Sequence, residues 1–195
     1  MSLNLKNMST ETRNQNTMNL DAMSPLEIIT VMNQEDAKIP EVIKPALPHI
    51  AQCVNWAVES MEAGGRIIYM GAGTSGRLGV LDAVECPPTF GVAPEVVVGL
   101  VAGGEQAFTK PLEDAEDSPQ LGRGDLVKIN LQKRDIVIGI AASGRTPYVL
   151  GGLAYAREMG CHTVAISCNP GSPIGQTAEL TIEVVPGPEV LTGST

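Results

Sequence analysis

Glycine, threonine and serine crowd the stretch GAGTSG from Gly71 to Gly76, and a carboxylate, Glu85, follows within the same segment, GAGTSGRLGVLDAVECPP. The apolar run Arg66-Ile67-Ile68-Tyr69-Met70 before it suits a strand, and the residues after it suit a helix. A turn from strand to helix gathers free backbone N–H groups and the positive end of a helix dipole, which favours a phosphate or another anion. An acid beside such a cradle is what a sugar-phosphate site needs.

GAGTSG satisfies G-x-G-x-x-G, but a dinucleotide fold wants an acidic residue about 20 positions on, at the end of the next strand. Glu105 comes several residues too late and follows Gly103-Gly104, which disfavours a nicotinamide cofactor. Arg77-Leu78 stand where a nucleotide triphosphatase would carry Lys and Ser/Thr, so that chemistry is disfavoured more strongly. A second loop decides between the readings. Ala142-Ser143-Gly144-Arg145-Thr146-Pro147 follows another apolar run and echoes Thr74-Ser75-Gly76-Arg77. Hydroxyls and N–H groups from both loops could surround one phosphate monoester. Thr74, Ser75, Ser143 and Thr146 are the candidate ligands, with Gly73 and Gly144 allowing close approach. Arg77 and Arg145 could pair with an anion, or equally with nearby carboxylates.

The elements that must bring the two loops together are legible as alternating runs. Strand-like segments fall at 66–71, 95–102, 135–142, 162–168 and 180–185, and their near-continuous Val/Ile content fits strands buried on both faces. Helical segments are expected at about 76–85, within 113–130, at 147–159 and at 172–178. The expected class is α/β, a doubly wound five-stranded parallel sheet of flavodoxin-like order 2-1-3-4-5. In that order the first and third strands are neighbours at the switch point, where ligands bind. Before the sheet, Ser24-Pro25-Leu26-Glu27 reads as a capping box opening a helix to about Gln34. Ile43, Leu47, Ile50, Val54, Ala57 and Met61 read as one face of another, starting near Pro45 and Pro48 and stopped by Gly64-Gly65. Residues 1–20 are polar and without periodicity, and read as a flexible leader whose opening Met-Ser-Leu is an expression scar. Residues 21–195 form the expected domain.

Composition narrows the partners. A net charge of −9 argues against nucleic acid, whose phosphates are gripped by a Lys/Arg surplus, and 3% aromatic content leaves little to stack on bases. Cys53, Cys86, Cys161 and Cys168 show no CxxC spacing and are joined by only two histidines, which makes a metal site improbable and suggests a reducing cytosol. No apolar stretch approaches a membrane span, and the N-terminus lacks a signal-peptide pattern.

Two hydroxyl-rich loops on such a sheet resemble the SIS (sugar isomerase) family of phosphosugar-binding domains. The longer run of motifs, GAGTSGRLGVLDAVECPPTFGV, GLVAGGEQA, EDAEDS, GIAASGRTPYV and ISCNPGS, with the leader TETRNQN, resembles the N-acetylmuramic acid 6-phosphate etherases across residues 10 to 195. That resemblance implies a cytoplasmic lyase of cell-wall recycling, which releases D-lactate from the C3 ether of the amino-sugar phosphate without metal or nicotinamide. It also implies a homodimer with a shared site, and chains that continue past Thr195, so that the domain is expected to be incomplete there. By the same resemblance Glu85 is the acid that protonates the departing lactate and Glu116 the base at C2. Burial at a helix end would keep Glu85 protonated, and the like charges of Glu113, Asp114 and Asp117 would strengthen Glu116 as a base. Taken alone, the acidic cluster reads as a solvated helix face and Glu85 as a surface acid. The glucokinase regulatory proteins, which sense sugar phosphates, share a similar glycine loop and stand as the alternative, as does a phosphosugar isomerase.

Overall fold

The computed structural model describes residues 9–193 except Pro111 and Glu113. Its five strands are β1 (Ile67–Gly71), β2 (Val97–Val101), β3 (Ile136–Ile140), β4 (His162–Ser167) and β5 (Leu180–Glu183). They form one parallel sheet in the order β2-β1-β3-β4-β5, as the alternation of runs predicts. In register, Gly71 lies beside Ile140, so the loops leaving β1 and β3 start next to each other.

Side chains alternate across the sheet. Ile68 and Met70 of β1 and Val137 of β3 point to one face, where Leu126, Tyr148, Val149, Leu153 and Ala156 cover them. These belong to α6 (Pro119–Lys128) and α7 (Pro147–Glu158). Ile67, Tyr69, Ile136 and Ile138 point to the other face, against Ile50, Cys53, Trp56 and Ala57 of α3 (Leu47–Glu62). Burial on both faces explains why the strands read as continuous Val/Ile runs rather than as alternating patterns.

Helix α1 (Pro25–Asp36) begins at the expected capping box: Glu27 N–H donates to the Ser24 hydroxyl, and Ser24 N–H donates to the Glu27 carboxylate at 2.7 Å. A short α2 (Ile39–Ile43) leads into α3. The stripe read as one face of α3 divides between the sheet and solvent. Ile50 and Ala57 face the sheet, while Leu47, Val54 and Met61 are exposed with Val58. The helix is apolar on more than one side, and the sheet takes the side bearing Trp56.

Two further expectations are corrected. Helix α4 runs from Gly73 to Phe90 rather than 76–85, continuing through Pro87 and Pro88 to a left-handed Gly91. Proline's fixed φ is compatible with a helix; what it removes is an N–H bond. The leader is not without structure: residues 9–22 form three single-turn 3-10 helices, with Thr10 and Asn14 buried. Residues 1–8 lie outside the described residues. The short helices α5 (Gln106–Thr109) and α8 (Pro173–Thr177) complete the set. Among the described residues no helix is long and apolar enough to cross a membrane.

Candidate functional site

At the carboxyl ends of β1 and β3 lies a cavity of about 820 Å³. Gly73, Thr74, Ser75, Ser143, Arg145 and Thr146 line it, together with Glu116. The loops following β1 and β3 thus converge on one space, because their strands are neighbours. GTSG is not a loop before a helix but the first turn of α4 itself.

The two helices that begin here are left open in a specific way. Ala72 and Thr146, the residues capping α4 and α7, make no side-chain cap bond. By contrast, Ser24, Ser118 and Ser172 cap α1, α6 and α8 with their hydroxyls. Among the described residues, the N–H groups of Gly73, Thr74, Ser75, Ser143, Arg145 and Thr146 donate to no protein acceptor, and the hydroxyls of Thr74, Ser75, Ser143 and Thr146 make no hydrogen bond. Two helix dipoles and a set of uncommitted donors therefore face one cavity, which favours an anion strongly. Side-chain charge does not supply this field, since Glu116, Asp117 and Glu189 share the lining with Arg77 and Arg145.

Gly73 and Gly144 both adopt left-handed conformations, with φ of +53° and +72°. A Cβ at Gly73 would meet open space, so conformation rather than crowding calls for glycine there. At Gly144 a Cβ would also run into the Ser172 side chain.

The two arginines part company. Arg77 donates to the carbonyls of Phe108 and Ala107, at 3.0 and 2.9 Å, tying α4 to the turn around α5. Arg145 makes one loose ion pair, 3.7 Å from Glu11 of the leader.

Glu116 lies in the loop before α6, not on a helix, and its carbonyl accepts the Tyr148 N–H at 2.9 Å. The start of α7 therefore fixes the backbone of Glu116 relative to the second loop. Asp114 and Asp117 are exposed beside it, and Glu113 lies outside the described residues. Glu85 does not line the cavity. It is exposed on α4, two turns beyond Leu78 on the same stripe and about 10 Å farther along the axis. The burial expected for it is absent within one chain, because α4 continues past it into solvent instead of ending there. Cys86 is half-buried, and loss of solvation pushes its thiol up, with the Asp82 carboxylate adding to the effect. Glu189, in the tail after β5, lines the cavity without any sequence signal to single it out; it is an isolated acid between Pro188 and Val190.

A family model described as the glucokinase regulatory protein N-terminal SIS domain matches residues 49–157. The chain belongs to this SIS family. Among curated relatives, an N-acetylmuramic acid 6-phosphate etherase of Pectobacterium atrosepticum is 61% identical over 99% of the chain. An etherase of the same name from Salmonella agona is 58% identical over the same share. The SIS chain spans 64% and 65% of the length of these two relatives. Among solved structures, a phosphoheptose isomerase from Neisseria gonorrhoeae superposes with a TM-score of 0.63 at 15% identity, covering 80% of this chain and 83% of its own. The Vibrio vulnificus NanR protein complexed with ManNAc-6P gives 0.55 at 13%, covering 88% of this chain and 60% of its own. At such identities these likenesses carry the fold alone.

Proposed function

We propose that this SIS domain belongs to a cytoplasmic lyase that cleaves the lactyl ether of N-acetylmuramic acid 6-phosphate, giving N-acetylglucosamine 6-phosphate and D-lactate. One observation carries the reading: Glu116 opens onto the same cavity as two uncapped, hydroxyl-bearing helix starts. The names of relatives at 58–61% identity supply the substrate. The four cysteines are free, which fits a reducing compartment.

The 6-phosphate sits between Thr74-Ser75 and Ser143–Thr146, held by their N–H groups and hydroxyls. With the sugar ring open, the C1 aldehyde acidifies the proton on C2. Glu116 removes that proton, the C3–O bond breaks, and an acid protonates the oxygen that leaves with lactate. Water then adds across C2=C3, its hydroxyl to C3 and a proton to C2. General acid and base help of this kind contributes about 10²–10⁴-fold each.

Glu85 is the acid, supplied by a second copy of the chain. Its exposed position on α4, beside Leu78, Leu81 and Val84 at 55%, 51% and 56% exposure, suits a surface covered in a homodimer. Apolar residues grouped on one face in this way call for a partner.

The test is release of D-lactate from N-acetylmuramic acid 6-phosphate by the full-length protein. Steady release is expected, and loss of release on Glu85→Gln while C2 proton exchange in the product survives. The match to a regulatory-protein domain favours one second reading, a sugar-phosphate sensor, which would bind the ligand and release nothing.

A further inference from the structure

The site described above gives no task to the leader, yet its residues reach both walls of the cavity. Thr10 and Asn169 are each only 4% exposed. The Asn169 side-chain amide donates to the Thr10 hydroxyl at 3.0 Å, and to the carbonyls of Ala142 and Ser143 at 3.2 and 3.5 Å. Ser9 donates its hydroxyl to the Asn169 side-chain oxygen and to the Cys168 carbonyl, both at 3.1 Å. The leader thus grips the Asn169 amide at both ends. Farther along, Asn14 donates to the Pro188 carbonyl at 3.5 Å and Thr17 to that of Val190 at 2.8 Å, bracketing the cavity-lining Glu189.

We propose that residues Ser9–Thr17 are a positioning strap for the anion cradle, acting through Thr10 and Asn169 on the second loop. The ligand is the sugar phosphate of the reading above, on which the inference rests. A trans peptide is planar, and its C=O and N–H point to opposite sides. Holding the Ala142 carbonyl on Asn169 therefore turns the Ser143 N–H the other way, on the side of the cavity that Ser143 lines. The Cys168 N–H holds the same carbonyl at 2.9 Å, so the strap is a second clamp on this peptide; without it the loop rests on that bond alone, and the aim of the Ser143 donor loosens. Glu11, beside Arg145, keeps the neighbouring guanidinium at the same rim. Thr10, Ser9 and Asn169 touch no ligand in this account; they act through the Ala142–Ser143 peptide.

The experiment compares Thr10→Val and Thr10→Ser with wild type in the full-length protein. It reads N-acetylglucosamine 6-phosphate affinity, amide hydrogen exchange over residues 142–146, and melting temperature. Valine keeps the shape, removes the acceptor and leaves a buried N–H unsatisfied. Affinity is expected to fall about 5-fold or more with faster exchange at Gly144, whose N–H is held on the Ala141 carbonyl at 2.9 Å, and serine to restore both. A lower melting temperature with unchanged affinity and exchange would mean a structural role only and overturns the proposal. If Thr10→Val does not fold, Ser9→Ala, at a less buried position, asks the same question through the Asn169 oxygen. Exchange at Gly144 is read without ligand. A wild-type protein that binds no sugar phosphate therefore sinks the phosphosugar reading, while the strap still stands or falls on exchange.

Discussion

Arg77 and Arg145 occupy matching places after the first and third strands, and sequence gives no means of telling them apart. Their surroundings do. The Arg77 guanidinium donates to the carbonyls of Ala107 and Phe108, whereas Arg145 lines the cavity and makes one loose ion pair, with Glu11 at 3.7 Å. Arg145→Ala is therefore expected to weaken sugar-phosphate binding about tenfold or more while leaving the melting temperature close to wild type, since a charged hydrogen bond contributes about 1.5–3 kcal/mol. Arg77→Ala should do the reverse, lowering stability by about 1 kcal/mol as the exposed Phe108 carbonyl and the part-buried Ala107 carbonyl lose their donors. Calorimetric binding and urea denaturation on the two variants read the difference; equal losses of affinity would refute it. What sequence could not supply here is the position of two carbonyls some thirty residues away. Glu189 escaped notice for the same reason, since nothing local marks an acid whose role comes from where the tail is laid down. Glu116, in contrast, was singled out by a resemblance of motifs, and the geometry adds the reason it is held in place, the Tyr148 N–H on its carbonyl.

Elements were legible where apolar periodicity or capping chemistry fixes them. The five strands lie inside the expected runs, and the box at Ser24 and Glu27 opens α1 as its residue types require. The misses share another cause. Neither the leader nor the far end of α4 is built from an apolar pattern: Asn, Ser and Thr side chains hold the leader, and Pro87-Pro88 look like a helix stop although their φ suits the helix they extend. The turn at Gly144 is where local conformation and packing meet, since its positive φ and the nearby Ser172 both exclude a side chain. Gly144→Ala should cost about 1–2 kcal/mol of stability from backbone conformation alone. Displacement of Ser172 would add to that and shift the Ser143 and Thr146 donors. Urea unfolding with a phosphosugar titration on the same variant checks both parts. A stable protein with full affinity would show that the second loop tolerates being moved, contrary to the role given to it.

At the scale of the whole molecule, the proposed reaction needs two carboxylates, and one chain brings only one of the proposed pair to the cavity. Glu116 stands at the cavity, while Glu85 stands outside it on a helix whose Leu78, Leu81 and Val84 are exposed, and α3 shows a second apolar face in Leu47, Val54, Val58 and Met61. Uncovered apolar surface on this scale is costly in water, and a second copy would cover it while carrying its own Glu85 towards the first copy's cavity. If the acid crosses between subunits, two inactive proteins can repair each other. Glu85→Gln and Glu116→Gln homodimers should each release D-lactate at a rate reduced by about 10²-fold or more. Unfolded together and refolded as an equal mixture, half the dimers would be mixed, and each mixed dimer would hold one site with both native carboxyls and one with neither. Activity should therefore return to about a quarter of wild type, a value set by dimer statistics alone. If both carboxyls came from the same chain, every site in every dimer would lack one of them and the mixture would stay as inactive as its parents. The same measurement on Leu81→Glu, which places a charge in the proposed contact, should show monomers in sedimentation and little lactate release. A monomeric Leu81→Glu variant with full activity would place Glu85 and Glu116 in one chain after all.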